Sequence, residues 1–142
     1  MSETMVDFTG KFSKPIKNIE TALEEFQPKY GIEIGAVNYD RLDYPTIHII
    51  PDRTDYQGSG EYASYVPIFF YFTKGKNENK YVEHLEDVEK TIDTILGELQ
   101  ENDDLFEYKL NGLENFAGEQ NNTLLEIIKI EIKVSRIVDV ST

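Results

Sequence analysis

Hydrophobic and polar residues alternate strictly near the end of the chain. Ile128, Ile130, Ile132 and Val134 fall on one side of an extended backbone, and Lys129, Glu131 and Lys133 fall on the other. A period of two indicates an antiparallel strand with one buried face. The surrounding apolar-rich segment, LLEIIKIEIKVSRIVDV, runs from Leu124 to Val140, whereas ordinary strands have about five or six residues. The sequence therefore predicts an unusually long last strand.

Two other segments have the three- and four-residue spacing of amphipathic helices. The first helix is predicted to begin at a Ser13 cap, to carry Pro15 in its first turn and to end before Pro28. The second is predicted over about residues 80–100. The apolar positions are Ile16, Ile19, Leu23 and Phe26 in the first helix and Tyr81, Leu85, Val88, Ile92, Ile95 and Leu99 in the second.

Apolar runs between and after the helices predict the remaining strands. They lie at residues 46–50, 66–73 and 105–110, with a further short strand at 32–37. Residues 112–122 are predicted to form a loop, and Pro67 is predicted to mark a bulge or an unpaired edge. Strands grouped between helices predict an α+β fold in the order helix, strands, helix, two strands. We expect an antiparallel or mixed sheet of four or five strands with both helices on one face.

A length of 142 residues predicts a single domain. Residues 1–12 are predicted to be a flexible arm. Residues 52–64 are polar and turn-rich, and they are predicted to form a hairpin arm that protrudes from the sheet, with Gly58 and Gly60 at its tip. Residues 55–61 offer too little apolar surface to be held by their own fold, so a neighbouring subunit is expected to contact them.

The chain is strongly acidic, with 27 acidic against 14 basic residues and a formal charge of −13. Such a surface repels phosphate and disfavours nucleic-acid binding. The acidity fits solubility, mimicry of nucleic acid, a surface that DNA passes without sticking, or a high-salt habitat. There is no cysteine, which excludes disulfides and thiolate chemistry. No apolar run has the length of a membrane helix, so the chain is expected to be soluble and intracellular when made.

The candidate catalytic and metal-binding residues are few. His48 alternates with isoleucines and is predicted to be a sheet-face histidine, and His84 is predicted to lie on a solvated helical face without a matching ligand cluster. The Gly58-Ser59-Gly60 segment has neither the spacing of a nucleophile elbow nor that of a phosphate loop. The aromatic run at 62–72 could form an RNA-stacking sheet, but it contains no basic residue. The hydrophobic core explains these aromatic residues better. No enzyme, metal site or cofactor is predicted.

The order of elements resembles that of the tail terminator, or tail-completion, proteins of long-tailed phages and viruses. The resemblance covers residues 13–138. It depends on the first helix, the strand and proline TIHIIP, the polar hairpin, the aromatic strand 66–73, the long second helix and two final strands. It implies a structural virion protein that forms a homo-hexameric ring, terminates the tail tube and joins it to the head-side connector. The implied partners are other copies of the chain, the tail tube protein and the connector.

In such a ring one surface of a subunit contacts a different surface of the next, and the arm and the long strand are expected to supply those contacts. The predicted interface residues are Asp55, Tyr56, Gln57, Gly58, Ser59, Gly60, Glu61, Lys129, Glu131 and Lys133. Viral DNA is expected to pass the acidic surface without specific binding. The implied location is the virion, and the host cytoplasm during assembly. The alternative is an acidic inhibitor or immunity-type module that occupies a basic nucleic-acid-binding site.

Overall fold

The computed structural model describes residues 12–35, 45–56, 61–74, 79–102, 105–120 and 122–136. The fold is α+β, with two helices and a mixed sheet of six strands. The helices are α1 (Ser13–Leu23) and α2 (Tyr81–Asn102). The strands are β1 (Gly31–Ile34), β2 (Thr46–Ile49), β3 (Arg53–Tyr56), β4 (Tyr62–Thr73), β5 (Phe106–Gln120) and β6 (Thr123–Arg136).

Both predicted helices form, and the start of α1 differs from the prediction. Ser13 is already helical, and the capping position belongs to Phe12, whose side chain makes no capping hydrogen bond. The Phe12 ring instead lies 5.3 Å from the ring of Tyr62, centroid to centroid. A hydrophobic contact therefore fixes the entry of the helix in place of the predicted Ser13 cap. No helix in the described ranges is long and apolar enough to cross a membrane.

The sheet has the strand order β1-β2-β4-β6-β5, and β3 pairs with β4 in line with β2. The β1–β2 pair is parallel and the other pairs are antiparallel. The prediction of four or five strands is one too low because β3 adds a strand from within the predicted arm. Both described ends of that arm lie in the sheet, since Arg53 to Tyr56 pair with Tyr62 to Tyr65. The tip, residues 57–60, lies outside the described residues.

The predicted loop at 112–122 is wrong, because β5 continues to Gln120. Glycines and polar residues make this segment a poor strand by composition. The backbone nevertheless pairs with β6 along its whole length, with one register shift between Leu110 and Gly112. The long last strand thus has a neighbour of its own length on one side, and residues 63–73 of β4 on the other. Two long partners explain why β6 is long.

The core lies on one face of the sheet, beneath both helices. Alternate residues of β4 and β6 face it, including Ile68, Phe70, Ile128 and Ile130. Buried residues of α1 and α2 join the same cluster, namely Ile19, Leu23, Val88, Ile92, Ile95 and Leu99. Both helices therefore lie on one face of the sheet, as predicted.

Pro67 lies in the middle of β4 without breaking its pairing with β6. Its carbonyl oxygen accepts a hydrogen bond from the Ile50 amide, 3.1 Å away. The nitrogen of the same residue points to the same side, toward the short break between β2 and β3. The missing N–H of proline thus costs no hydrogen bond to β6, which pairs Glu131 with Pro67 in register.

Candidate assembly surface

The face of the sheet opposite the helices, called the outer face below, pairs cations with aromatic rings. The Arg53 guanidinium carbon lies 4.3 Å from the centroid of the Tyr65 ring, and Lys133 Nζ lies 6.0 Å from the same centroid. Lys129 Nζ lies 5.9 Å from the centroid of Phe69. Such pairs are attractive because the ring face carries partial negative charge. Three strands thus build one surface from residues far apart in sequence.

Acidic side chains balance the cations of the outer face. Arg53 Nε donates to Asp55 Oδ2 at 3.3 Å, and this bond raises the pKa of Arg53. Lys129 Nζ lies 3.6 Å from Glu114 Oε1 on β5. The Asn111 amide donates to Glu131 Oε1 at 2.6 Å. Asp55, Glu114 and Glu131 are therefore each held by a neighbouring side chain on this face.

The structure brings several predicted interface residues together on this face. Lys129, Glu131 and Lys133 are partly exposed and point away from the helices. Asp55 lies across β4 from them, beside Arg53, and Glu61 is exposed just before β4. Tyr56 ends β3. The other four, Gln57, Gly58, Ser59 and Gly60, lie outside the described residues.

The helical layer differs sharply in charge from the outer face. Residues 13–26 and 81–102 carry ten carboxylates and three lysines. The crowding is visible at Glu98, where a hydrogen bond to Glu25 raises the pKa of the Glu98 carboxyl. Much of the charge of −13 therefore lies on one side of the subunit.

The free edge of β5 is a second exposed surface, and the sequence did not predict it. Every residue from Lys109 to Ala117 is exposed. Three large apolar side chains are among them: Leu110 is 53% exposed, Leu113 39% and Phe116 44%. Leu110 and Leu113 lie on the helical side of the strand and Phe116 on the other side, so apolar groups flank the free edge on both faces. Exposed apolar surface beside an unpaired strand edge is typical of a site that binds a partner. The spacing of Leu110, Leu113 and Phe116 was the available signal, but glycines and polar residues between them favoured a loop.

His84 does not lie on a solvated face, contrary to the prediction. Its ring stacks on Phe72, with centroids 4.1 Å apart and planes 8° from parallel. Its Nδ1 lies 2.6 Å from Glu126 Oε2, and both side chains are largely buried. The pair joins the start of α2 to β6. Its geometry fits a structural contact, because the two residues have no third titratable partner of the kind that a metal site needs: the described residues contain no cluster of metal-ligand side chains.

His48 lies in β2, as predicted, and is buried. Its Nε2 forms a hydrogen bond with the carbonyl oxygen of Gly35, which follows β1. Tyr30 is buried near Asp87, and burial, followed by the negative charge of Asp87, raises the pKa of its phenol. A phenol held protonated in this way cannot act as a base near neutral pH. Neither residue supplies a catalytic constellation.

No protein-family model matches the sequence, and no curated protein shows significant similarity to it.

Proposed function

We propose that the chain is a structural subunit of a virion, and that it forms a homo-hexameric ring that terminates the tail tube and joins it to the head-side connector. The tail terminator resemblance of the sequence motivates the choice of class. The surfaces support assembly as the activity, since the described residues offer partner-binding features and no catalytic arrangement.

The observation that carries the proposal is the charge difference between the two layers. The helical layer has ten carboxylates against three lysines, whereas the outer-face cations Arg53 and Lys129 each lie beside a carboxylate and a partly exposed aromatic ring. A ring needs two different, complementary surfaces on each subunit. An acidic layer approaching cations such as Lys133 and Lys129 is favourable, whereas two acidic layers repel. The proposed ring contact is therefore helical layer to outer face.

The same acidity fits the passage of DNA through the ring. Carboxylates that remain exposed near the lumen repel phosphate, so the genome moves without binding. The partners in this proposal are other copies of the chain, the tail tube protein and the connector. No cofactor takes part.

The test compares assembly of the purified chain and of an outer-face variant. Lys129→Thr, Glu131→Thr and Lys133→Thr together remove three charged side chains and keep strand propensity. We expect the triple variant to fold, with unfolding free energy within about 1 kcal/mol of the parent. We also expect it to lose the ring, measured by multi-angle scattering at several concentrations and by joining to purified tail tubes. A parent chain that forms no ring alone and does not join tails would contradict the proposal.

Ile130→Lys is the matched comparison on the opposite face of the same strand. Ile130 is 2% exposed. The substitution loses the burial of one isoleucine, about 1.5–3 kcal/mol, and buries an unpaired ammonium at a further cost. We expect this variant to unfold, measured by circular dichroism and urea denaturation. Equal loss of folding in both variants would mean that the outer face is part of the core.

A second candidate function is the acidic inhibitor or immunity-type module, and the helical layer favours it. Ten carboxylates on two antiparallel helices present an anionic surface of the kind that fills a basic nucleic-acid site. Such a module binds its partner tightly at low salt and releases it as salt rises. It has no need of a ring. Assembly on tail tubes favours the terminator, and salt-sensitive capture by a nuclease-like basic protein favours the module.

A further inference from the structure

We propose that two copies of this chain pair in solution through their β5 edges, antiparallel and across a two-fold axis. The pairing concerns a surface other than the outer face and the helical layer, so it does not rest on the proposed ring. The proposed partner of the β5 edge is the β5 edge of a second copy. The length, the charge and the exposed apolar side chains of this edge each favour that partner.

Length excludes the other edges of the sheet as partners. Within the described ranges, β2, β4 and β6 are each paired on both sides. The unpaired edges belong to β1 and β3, with four residues each, and to β5, with 15 residues. A strand added to β5 must be long to satisfy its outward N–H and C=O groups. Only a second β5 matches that length in this chain.

Charge favours the same edge. A subunit with a net charge of −13 repels a second copy over most of its surface. From Leu110 to Gly118, however, the only charged residue is Glu114. Lys129 Nζ lies 3.6 Å from Glu114 Oε1 and offsets its negative charge. Edge strands are usually guarded by charges, prolines or bulges. Beyond the register shift at Leu110 and Gly112, β5 pairs regularly with β6 and carries neither proline nor lysine.

Apolar side chains on both faces of β5 would be buried by the pairing. Leu113 lies opposite Ile130 and therefore on the helical face, and Phe116 lies opposite Ile127 on the other face. Both are exposed in the subunit. Cross-strand pairs of such residues stabilise antiparallel strands. A two-fold contact brings Leu113 and Phe116 of both copies together, so four apolar side chains lose exposed surface at one interface.

The first test adds guarding charges to the edge. Asn115→Lys with Ala117→Lys places four lysines at the two-fold contact, and both positions are exposed, so the subunit should stay folded. At concentrations below those at which the ring forms, we expect the scattering mass to fall from twice 16.4 kDa to 16.4 kDa. Thr94→Lys with Asn102→Lys is the control, with the same charge added on exposed positions of α2. Because added lysines reduce the net negative charge, general electrostatics would favour association in both variants, and only a β5 contact predicts dissociation in one.

The second test uses the absence of cysteine in the chain. Single variants Asn115→Cys, Phe116→Cys and Ala117→Cys are oxidised and compared with Thr94→Cys. Cysteines opposed across the axis fall within disulfide distance, so at least one β5 variant should form dimers about tenfold faster than the control or more. A parent mass of 16.4 kDa at every concentration, with β5 cysteines no faster than Thr94→Cys, overturns the pairing. Pairs that persist while tail joining fails would count against the terminator proposal alone.

Discussion

At the scale of single residues, the contact between His84 and Glu126 shows how one side chain ties a helix to a strand. The imidazole lies flat on Phe72 and its Nδ1 meets the Glu126 carboxylate at 2.6 Å. His84 is the fourth residue of α2, at the end of its first turn. Glu126 lies in β6, near the turn that joins β5 to β6. The pair therefore fixes the start of α2 against the part of the hairpin that leaves the core.

His84→Ala is predicted to destabilise the subunit by about 1–3 kcal/mol, because Glu126 stays largely buried without its partner. The lost stacking on Phe72 adds to that cost. Equilibrium unfolding in urea measures the change. Glu83→Ala, one residue earlier and exposed, is the control and should stay within about 0.5 kcal/mol of the parent. If the two variants unfold at the same urea concentration, the contact contributes nothing to stability.

The sequence did not predict this contact, for a physical reason. Helical periodicity places His84 beside Glu83 and Asp87, on a stripe that reads as solvated. Whether a helical residue is buried depends also on which strand lies under it, and Glu126 is 42 residues away. In contrast, the burial of Ile128, Ile130, Ile132 and Val134 was predictable, because a period of two specifies the buried side of a strand without any knowledge of its partners.

At the scale of elements, the hairpin of β5 and β6 is the main departure from expectation. The strong pattern of β6 predicted its two faces correctly and a strand from Leu124 to Val138, which is confirmed as far as Arg136, since residues 137–140 lie outside the described residues. The weak pattern of β5 predicted a loop after Leu110. The two strands form as a unit because each residue added to the ladder supplies backbone hydrogen bonds, whatever its side chain. The segment GLENFAGEQ forms a strand because it pairs with β6, which has a strong strand pattern. Its own strand propensity matters less than this pairing.

The hairpin of β3 and β4 leads to a prediction for the residues of the predicted arm. Tyr56 and Tyr62 are paired across β3 and β4, so residues 57–61 can be replaced by Asn-Gly, the residue pair that closes a two-residue hairpin turn. We expect thermal stability to change by no more than about 1 kcal/mol, as for a surface substitution, and assembly on tails to weaken. A matched exchange of Asn122 for Gly in the β5–β6 turn, where Asn122 has a φ of +66°, should leave assembly intact. A shortened chain that no longer folds would place residues 57–61 in the subunit core.

At the scale of the whole molecule, the distribution of charge matters more than its sum. The value of −13 was evident from the sequence, but its concentration on the helical layer and the balance of the outer face depend on the topology. The basic residues beside the rings of β4 belong to β3 and β6, so the sequence of β4 alone shows none. A sequence pattern gives the faces of one strand, and the neighbours on each face come from the order of strands.

This distribution leads to a prediction in which two effects oppose each other. Glu86→Gln, Glu89→Gln and Asp93→Asn neutralise an exposed stripe of α2. Removing three negative charges from a chain of −13 weakens general repulsion between subunits and by itself favours association. If the helical layer contacts the outer face of the next subunit, the same change removes partners of Lys129 and Lys133 and reduces ring formation.

Glu33→Gln, Asp52→Asn and Glu107→Gln remove equal charge from exposed positions outside α1 and α2, and this variant should form rings at least as well as the parent. Ring occupancy by native mass spectrometry decides between the effects: a fall in the first variant alone identifies the contact, whereas a rise in both means that the helical layer only repels and that the ring contact lies elsewhere.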